Sequence, residues 1–327
     1  MQEVKWGIIG CGDVTEVKSG PAFQQIKDSR LVAVMRRDAA KASDYARRHG
    51  VPAWYDDASR LIEDPAVNAI YVATPPSTHE LYTLAALQAG KPVYVEKPMS
   101  LDAASAARMA AKATECGQKL VVAHYRRGQP LFRQVRDLLE AGSIGSVRQV
   151  NLQYIRPLPG PEELQEPKMR WRVDPARSGG GLFHDLAPHQ IDLMLFFFGD
   201  FREARGICGN RGGLYAAEDV VAGQVHFESG VLFTGSWCFC GPPGFHRDEV
   251  EILGSEGSIR FPVFGEPVID LEQGSDHSRI HFERLAHVQQ PMIARVVDYF
   301  LDRGPNPCPP QEGVKTMQIL DRFCGRS

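Results

Sequence analysis

The sequence has no apolar run approaching the ~20 residues that a membrane-spanning helix requires. Its opening stretch, MQEVKWGIIG, lacks the basic, apolar and small-residue regions of a secretory signal and enters a strand pattern at once. It has almost no charge excess. Lys and Arg number 37 against 40 Asp and Glu, a net charge of -3, and the densest basic pairs are Arg36-Arg37, Arg47-Arg48 and Arg126-Arg127. Neither nucleic acid nor a membrane is therefore expected as a partner. Cysteine is scarce and unpatterned: there are seven, an odd number, and only Cys238 and Cys240 are closely spaced. No second pair or histidine cluster stands at zinc-finger spacing, so no metal is expected. The alternation around Cys238 and Cys240 suits a strand, which makes them small buried hydrophobes. Together these absences imply a reduced, cytoplasmic protein. Internal repeats and low-complexity tracts are missing as well.

What remains is an ordinary globular composition, 43% hydrophobic and 24% charged over 327 residues, enough for two cores. The first part alternates short apolar runs with amphipathic stretches: strands at Val4–Ile9, Leu31–Met35, Ala69–Ala73, Val93–Glu96 and Leu120–Ala123, helices at Val14–Ile26, Ala39–His49, Ser77–Ala89 and Asp102–Glu115. Near-continuous apolar strands joined by helices predict a doubly wound parallel sheet, an α/β Rossmann domain over residues 1–123. The pattern then changes. After a helix at Pro130–Ala141 and a strand at Val147–Tyr154 comes a polar, Pro-rich stretch to Pro175, then a long helix over Gly181–Phe198. Alternating strands with glycine turns follow from Phe201 to Phe264, and two helices close the chain. Residues 124–327 are thus expected to form an α+β domain with an open, mainly antiparallel sheet. Its alternation would leave Val221, Val225, Phe227, Val231, Phe233 and Trp237 on an uncovered apolar face, so a homodimer or homotetramer built on that sheet is expected.

The first strand ends in Gly10-Cys11-Gly12, followed by Asp13-Val14 and a helix. Glycines at such a junction let the backbone turn tightly beside a pyrophosphate, and the helix start offers N–H groups to the anion. The third position of G-x-G-x-x-G is Thr15, so the context, a strand, a turn and a helix heading a βαβ series, carries the reading. After the second strand, where an acid would hold the ribose 2′-hydroxyl of NAD, stand Arg36-Arg37, with Asp38 next. A guanidinium there suits a 2′-phosphate, so NADP is preferred over NAD.

The fourth of these strands runs into Glu96-Lys97-Pro98 at the edge where open α/β sheets bind ligands. Ser178-Gly179-Gly180-Gly181 precedes a helix on which Asp185 and His189 are i,i+4 neighbours, a carboxylate placed to orient an imidazole for acid-base work. His184, Asp185, His189 and Asp192 are metal-ligand types, but His184 and Asp185 point about 100° apart on a helix and no further cluster joins them, so no metal is expected there.

The stretches GIIGCGDV, VATPPSTHE, GKPVYVEKP and WRVDPARSGGGLFHDLAPHQIDL, in that order, resemble the glucose-fructose oxidoreductase / inositol dehydrogenase family, also written Gfo/Idh/MocA. The resemblance spans both halves. It implies alcohol dehydrogenation or carbonyl reduction on a sugar, anhydro-sugar or polyol. It places the catalytic set on Lys97, Asp185 and His189, and cofactor contacts on Gly10, Gly12, Arg36, Thr74, Pro75, His79, Glu96 and Lys97. Trp171-Arg172 is similar to a Trp-Arg pair near the nicotinamide, and Tyr125 and Arg126 to residues lining the sugar pocket. Two positions depart from the family's pattern: Thr15 stands at the usual small third-glycine position, and Arg36 where NAD-preferring members commonly have an acid. Two rival functions share the fold: a glycosidase with tightly held NAD, and a non-catalytic nucleotide-sensing regulator, which would be expected to lose the catalytic set.

Overall fold

The computed structural model describes residues 1–326. It divides into two compact units, Met1–Gln129 with Leu285–Lys315, and Pro130–Arg284 with the residues from Thr316 onward. The expected boundary at 123/124 is therefore corrected in two ways: it falls after Gln129, and a returning segment belongs to the first unit. That segment completes the core through contacts distant in sequence. Lys119 Nζ donates to the carbonyl of Tyr299 at 2.7 Å, Val122 N donates to Cys308 O at 3.1 Å, and the Phe300 ring lies 5.4 Å from Trp6.

In the first unit, strands β1 (Val4–Ile9), β2 (Ser29–Met35), β3 (Ala53–Tyr55), β4 (Ala69–Val72), β5 (Val93–Val95) and β6 (Leu120–Val122) form one parallel sheet in the order β3-β2-β1-β4-β5-β6. Trp6, Ile8, Val34, Ile70, Tyr71 and Tyr94 on these strands are fully buried, as expected where both faces carry helices. β3 escapes a sequence reading because it has three residues and none is buried. The helix expected over Val14–Ile26 is two short ones, Asp13–Val17 and Gly20–Gln25. The break accommodates Gly20, where a Cβ would sit 2.1 Å from Thr15 O and 2.3 Å from Tyr45 Oη. The strand order reverses between β1 and β4, so the ligand crevice of this sheet lies outside their carboxyl ends.

In the second unit, β7 (Val147–Pro157), β8 (Phe201–Gly209), β9 (Val220–Phe227), β10 (Leu232–Gly241), β11 (Arg247–Gly254), β12 (Gly257–Phe261), β13 (Val268–Gln273) and β14 (Asp276–His281) form a sheet in the order β14-β13-β12-β11-β7-β10-β9-β8. Only β7 and β10 pair in parallel. The helix Leu182–Phe198 runs unbroken through Pro188 and covers one face. Phe183 packs edge-on to Trp237 at 5.2 Å, Phe198 lies 5.5 Å from Phe227, and Trp237 Nε1 donates to Gln190 Oε1 at 2.7 Å.

This corrects the expected apolar open face. Val221, Val225, Phe227, Phe233 and Trp237 are at most 2% exposed, and Val231 6%. Strand alternation puts one parity under the helix and the other outside, so the face left open is the complementary one: Gln153, Gln224, Thr234, Arg247 and Glu249, with Ile207 and Leu232. Cys238 and Cys240 share the outer parity. They are half-buried, with Sγ atoms 3.8 Å apart, and not the core residues expected. No helix among the described residues is long and apolar enough to cross a membrane.

Candidate active site

Each cofactor residue expected in the first unit sits at the carboxyl end of a parallel strand. Gly10, directly after β1, has φ +97°, and a Cβ there would lie 2.8 Å from the backbone N of Thr74 after β4. Only glycine permits that approach between the two strands flanking the reversal. At Gly12 an added Cβ would meet nothing closer than Gly10 O at 3.9 Å, so open space faces the backbone where a pyrophosphate has to come close. Asp13 and Val14 begin the following helix, whose first N–H groups have no intrahelical acceptor. Thr15, at the third-glycine position, is buried and donates its hydroxyl to Gly12 O at 2.8 Å, tying the loop to its helix. Cys11 is buried beneath the loop, and burial pushes its thiol up to about 11, so it stays protonated.

Arg36 follows β2 and is half-buried, its Nη1 donating to Cys11 O at 3.2 Å, so the guanidinium is held against the glycine loop. Arg37 is exposed. Asp38 is the N-cap of helix Ala39–His49, accepting from Lys41 N at 3.1 Å and ion-pairing with Lys41 Nζ. That carboxylate caps the helix that follows.

Thr74 and Pro75 lead from β4 into a short turn in which Thr78 Oγ1 donates to Thr74 Oγ1 at 2.8 Å. His79 is fully buried, with Nε2 2.7 Å from Thr74 O and Nδ1 3.0 Å from Pro98 O. Burial holds its pKa below the usual histidine value, and the ring links the β4 and β5 loops. After β5, the buried Glu96 carboxylate accepts from Tyr71 Oη, from Gln289 Nε2 at 2.7 Å and from Lys97 N at 3.1 Å. Gln289 belongs to the returning segment and was not foreseen as part of this edge. Lys97 itself is half-buried and precedes a cis peptide to Pro98. Tyr125 and Arg126, after β6, lie in the first unit and not in the second as expected, with the Arg126 guanidinium 5.7 Å from the Tyr125 ring centroid.

The second unit carries the remaining candidates on and before the helix Leu182–Phe198. Asp185 and His189 are one turn apart in it; His189 is 3% exposed, its ring 5.7 Å from Phe264. Arg172 Nε donates to Asp185 Oδ2 at 3.0 Å, and the Arg172 guanidinium lies 4.6 Å from the Trp171 ring centroid. Thus Trp171, Arg172 and Asp185 form one connected group, a linkage invisible to an i,i+4 argument because the two segments are 13 residues apart.

A second cluster was missed. His184 Nδ1, Glu218 Oε1 and Cys324 Sγ lie within 4.8 Å of one another, and Arg326 reaches both oxygens of Glu218 at 2.7 and 2.8 Å. Sequence flagged His184 alone; its partners come from segments 34 and about 140 residues away, with no motif to join them.

Residues 4–124 match the family described as "Oxidoreductase family, NAD-binding Rossmann fold", and residues 132–260 match the GFO/IDH/MocA C-terminal domain. The chain is 42% identical over 323 residues to Oxidoreductase P35 of Formosa agariphila, covering 98% of each. It is 31% identical over 257 residues to 1,5-anhydro-D-fructose reductase of Ensifer adhaerens, covering 78% of this chain and 74% of that one. Among solved structures, aldose-aldose oxidoreductase of Caulobacter crescentus superposes with a TM-score of 0.85 at 21% identity, over 98% of this chain and 96% of the other. With a glycine loop shaped for a dinucleotide and both family domains matched in order, the chain belongs to the GFO/IDH/MocA family of oxidoreductases and carries its NAD-binding Rossmann fold.

Proposed function

We propose that the protein is an NADP-preferring oxidoreductase that interconverts a secondary alcohol and a ketone on a sugar, anhydro-sugar or polyol. The observation that carries the chemistry is the buried imidazole of His189, one helical turn from a carboxylate, Asp185, that is itself held by Arg172. A desolvated imidazole oriented by neighbouring charge is suited to passing a proton to or from a substrate oxygen. The sugar class rests on the likeness to 1,5-anhydro-D-fructose reductase.

The residues present fit a nicotinamide dinucleotide. Gly10 and Gly12 open the backbone to the pyrophosphate, Asp13 and Val14 start the helix above it, and Thr74 and Pro75 border the crevice from β4. Arg36 supports the 2′-phosphate preference, because its guanidinium already lies on the loop while the adjacent acid is spent as a helix cap. A bound nicotinamide would supply hydride exchange at the substrate carbon. In the second unit His189 is the acid-base group, with Asp185 to fix its orientation; in the first unit Lys97 is the group to polarise the reacting oxygen. Tyr125, Arg126 and Arg172 bind the other hydroxyls. Glu96 and His79 act one step back, bracing the loops that bear Lys97 and Thr74.

The deciding experiment is a screen of sugars, 1,5-anhydro-D-fructose and polyols with all four nicotinamide forms, reading the absorbance of the reduced cofactor. Turnover of at least one sugar with NADPH or NADP⁺ exceeding that with NADH or NAD⁺ is expected. Absence of turnover across the panel would overturn the reading.

A further inference from the structure

The three glycines before helix Leu182–Phe198 have distinct physical causes. Gly179 has φ +87°. Gly180 is constrained by space: a Cβ there would lie 2.2 Å from His184 Nδ1 and 2.9 Å from Glu218 Oε1. Gly181 would bring a Cβ to 2.8 Å from Ala217 Cβ. The turn is thus moulded around the pair His184–Glu218 and the segment that carries Glu218.

That pair is closed by Arg326. Its Nη2 donates to both Glu218 oxygens, and its Nη1 donates to Gly179 O and lies 3.2 Å from His184 Nε2. A guanidinium only donates, so His184 Nε2 is the acceptor and the ring proton sits on Nδ1, facing Glu218 Oε1 at 3.5 Å. His184 has no exposed side-chain surface and Glu218 10%, so one fork holds a buried carboxylate, a buried imidazole and a loop carbonyl at once. Burial alone raises the Glu218 carboxyl, but His184, its own backbone N–H and Arg326 outweigh that and bring it down to about 2.

The same atoms invite a metal reading through Cys324, whose Sγ lies 3.3 Å from Glu218 Oε1. The bidentate guanidinium already fills the carboxylate and places positive charge where a cation would bind. Burial and Glu218 also push the Cys324 thiol up, away from the thiolate a metal needs.

We propose that Arg326 is a positioning residue: through Glu218 and His184 it fixes the glycine turn and the first turn of the helix, and so sets the orientation in which Asp185 and His189 are presented. His184 directly precedes Asp185, and Asp185 N donates to Gly181 O at 3.2 Å, so displacement of the turn is passed to the catalytic pair. The inference rests on the active-site reading above and deepens it.

The test has an arm independent of turnover. In Arg326→Ala, amide exchange over residues 179–189 is expected to quicken ~10-fold or more, while NADPH binding by the first unit stays as in wild type. With 1,5-anhydro-D-fructose and NADPH, kcat is expected to fall by up to about 100-fold, the scale of a misplacement near 1 Å, with KM for NADPH unchanged. Arg326→Lys, which keeps charge but not the fork, is expected to restore part of kcat. If Arg326→Ala does not fold, Glu218→Gln carries the same expectation at the same amides. Unchanged exchange, or loosened exchange with kcat retained, overturns the proposal. So does tight zinc uptake by the wild type that Cys324→Ser abolishes. If the wild type turns over no sugar or polyol, the proposed function fails, while the exchange arm still decides whether Arg326 holds the turn.

Discussion

Arg36 is the side chain on which the proposed preference for NADP rests. Its guanidinium is anchored on Cys11 O, and the competing acid Asp38 is committed to capping a helix. A charge-assisted bond to a phosphate contributes about 1.5–3 kcal/mol, so Arg36→Ala is expected to weaken NADPH about 10- to 100-fold and leave NADH nearly untouched. Fluorescence titration of both nucleotides checks this; equal affinities in the wild type would refute the NADP assignment. In the catalytic set, general acid-base groups typically contribute about 10²–10⁴-fold. On the proposed roles, His189→Ala is expected to lower kcat on that scale, and Lys97→Ala at least as much, since the lysine is proposed also to steady charge developing on the oxygen. Asp185→Asn should cost less than His189→Ala, because Arg172 remains to order the segment. Single-turnover hydride transfer measures all three, and wild-type transfer in His189→Ala would move the proton elsewhere. Gly10-x-Gly12 and the Asp185–His189 spacing were legible in sequence because each is a short-range pattern with one geometric meaning. The Arg172–Asp185 and Arg326–Glu218 pairs were not, because ion pairs between separated segments leave no period in the chain.

Elements respond to packing that sequence registers only in part. The inner face of β8 and β9 carries Gly206 and Gly223, where an added Cβ would meet Phe323 at 2.6 and 2.4 Å. The ring of Phe323 fills the notch that the two glycines leave, so Gly223→Ala is expected to lower stability by about 1–3 kcal/mol through overpacking, measured by the shift in urea midpoint. The Glu218 carboxyl, in the segment before β9, lends the fold a pH dependence. Lowered from 4.5 to about 2, it stabilises the fold above its unfolded pKa by on the order of 3 kcal/mol, and this is lost as pH falls from 4.5 toward 2. Accordingly, the stability gap between wild type and Glu218→Gln should be widest at neutral pH, narrow below pH 4 and close as pH nears 2 in denaturant titrations. A gap constant with pH would show that the ionised carboxylate contributes nothing. The largely apolar strand Val4–Ile9 and the amphipathic helix Ala39–His49 matched expectation to the residue. The three-residue β3 did not, since so short a segment has no period to read.

At the scale of the whole molecule, the open sheet face bears on assembly. We propose that it is where copies of the chain associate, through its outer parity and not through the apolar residues first expected. Ile207, 77% exposed, and Leu232, 54% exposed, lie on it among Gln224, Thr234, Gln153 and Arg247. Exposed aliphatic residues within a polar field fit an interface of mixed character. Light scattering is expected to show a dimer or tetramer at micromolar concentration, and Thr234→Arg, which places charge at the middle of the face, to shift it toward monomer. A monomeric wild type, or a Thr234→Arg variant with unaltered mass, would end the proposal.

The sequence by itself determined the parts of this protein that depend on local repetition. Apolar runs separated by helical stretches specify a doubly wound sheet, because a strand buried on both faces has to be apolar throughout. Alternation specifies the second sheet, because side chains of a strand point to opposite faces in turn. A glycine pair at a strand-to-helix junction specifies a dinucleotide loop for the same kind of reason. The tertiary structure decided whatever depends on which distant segments meet. Period-2 alternation identifies two faces but not which one a helix will cover, and so the sheet's open side was assigned to the wrong parity. Likewise only folding brings Leu285–Lys315 back to the first unit and Gln289 to Glu96, and carries Arg326 to the turn that precedes Asp185, since closing loops of more than a hundred residues leaves no mark in any local window.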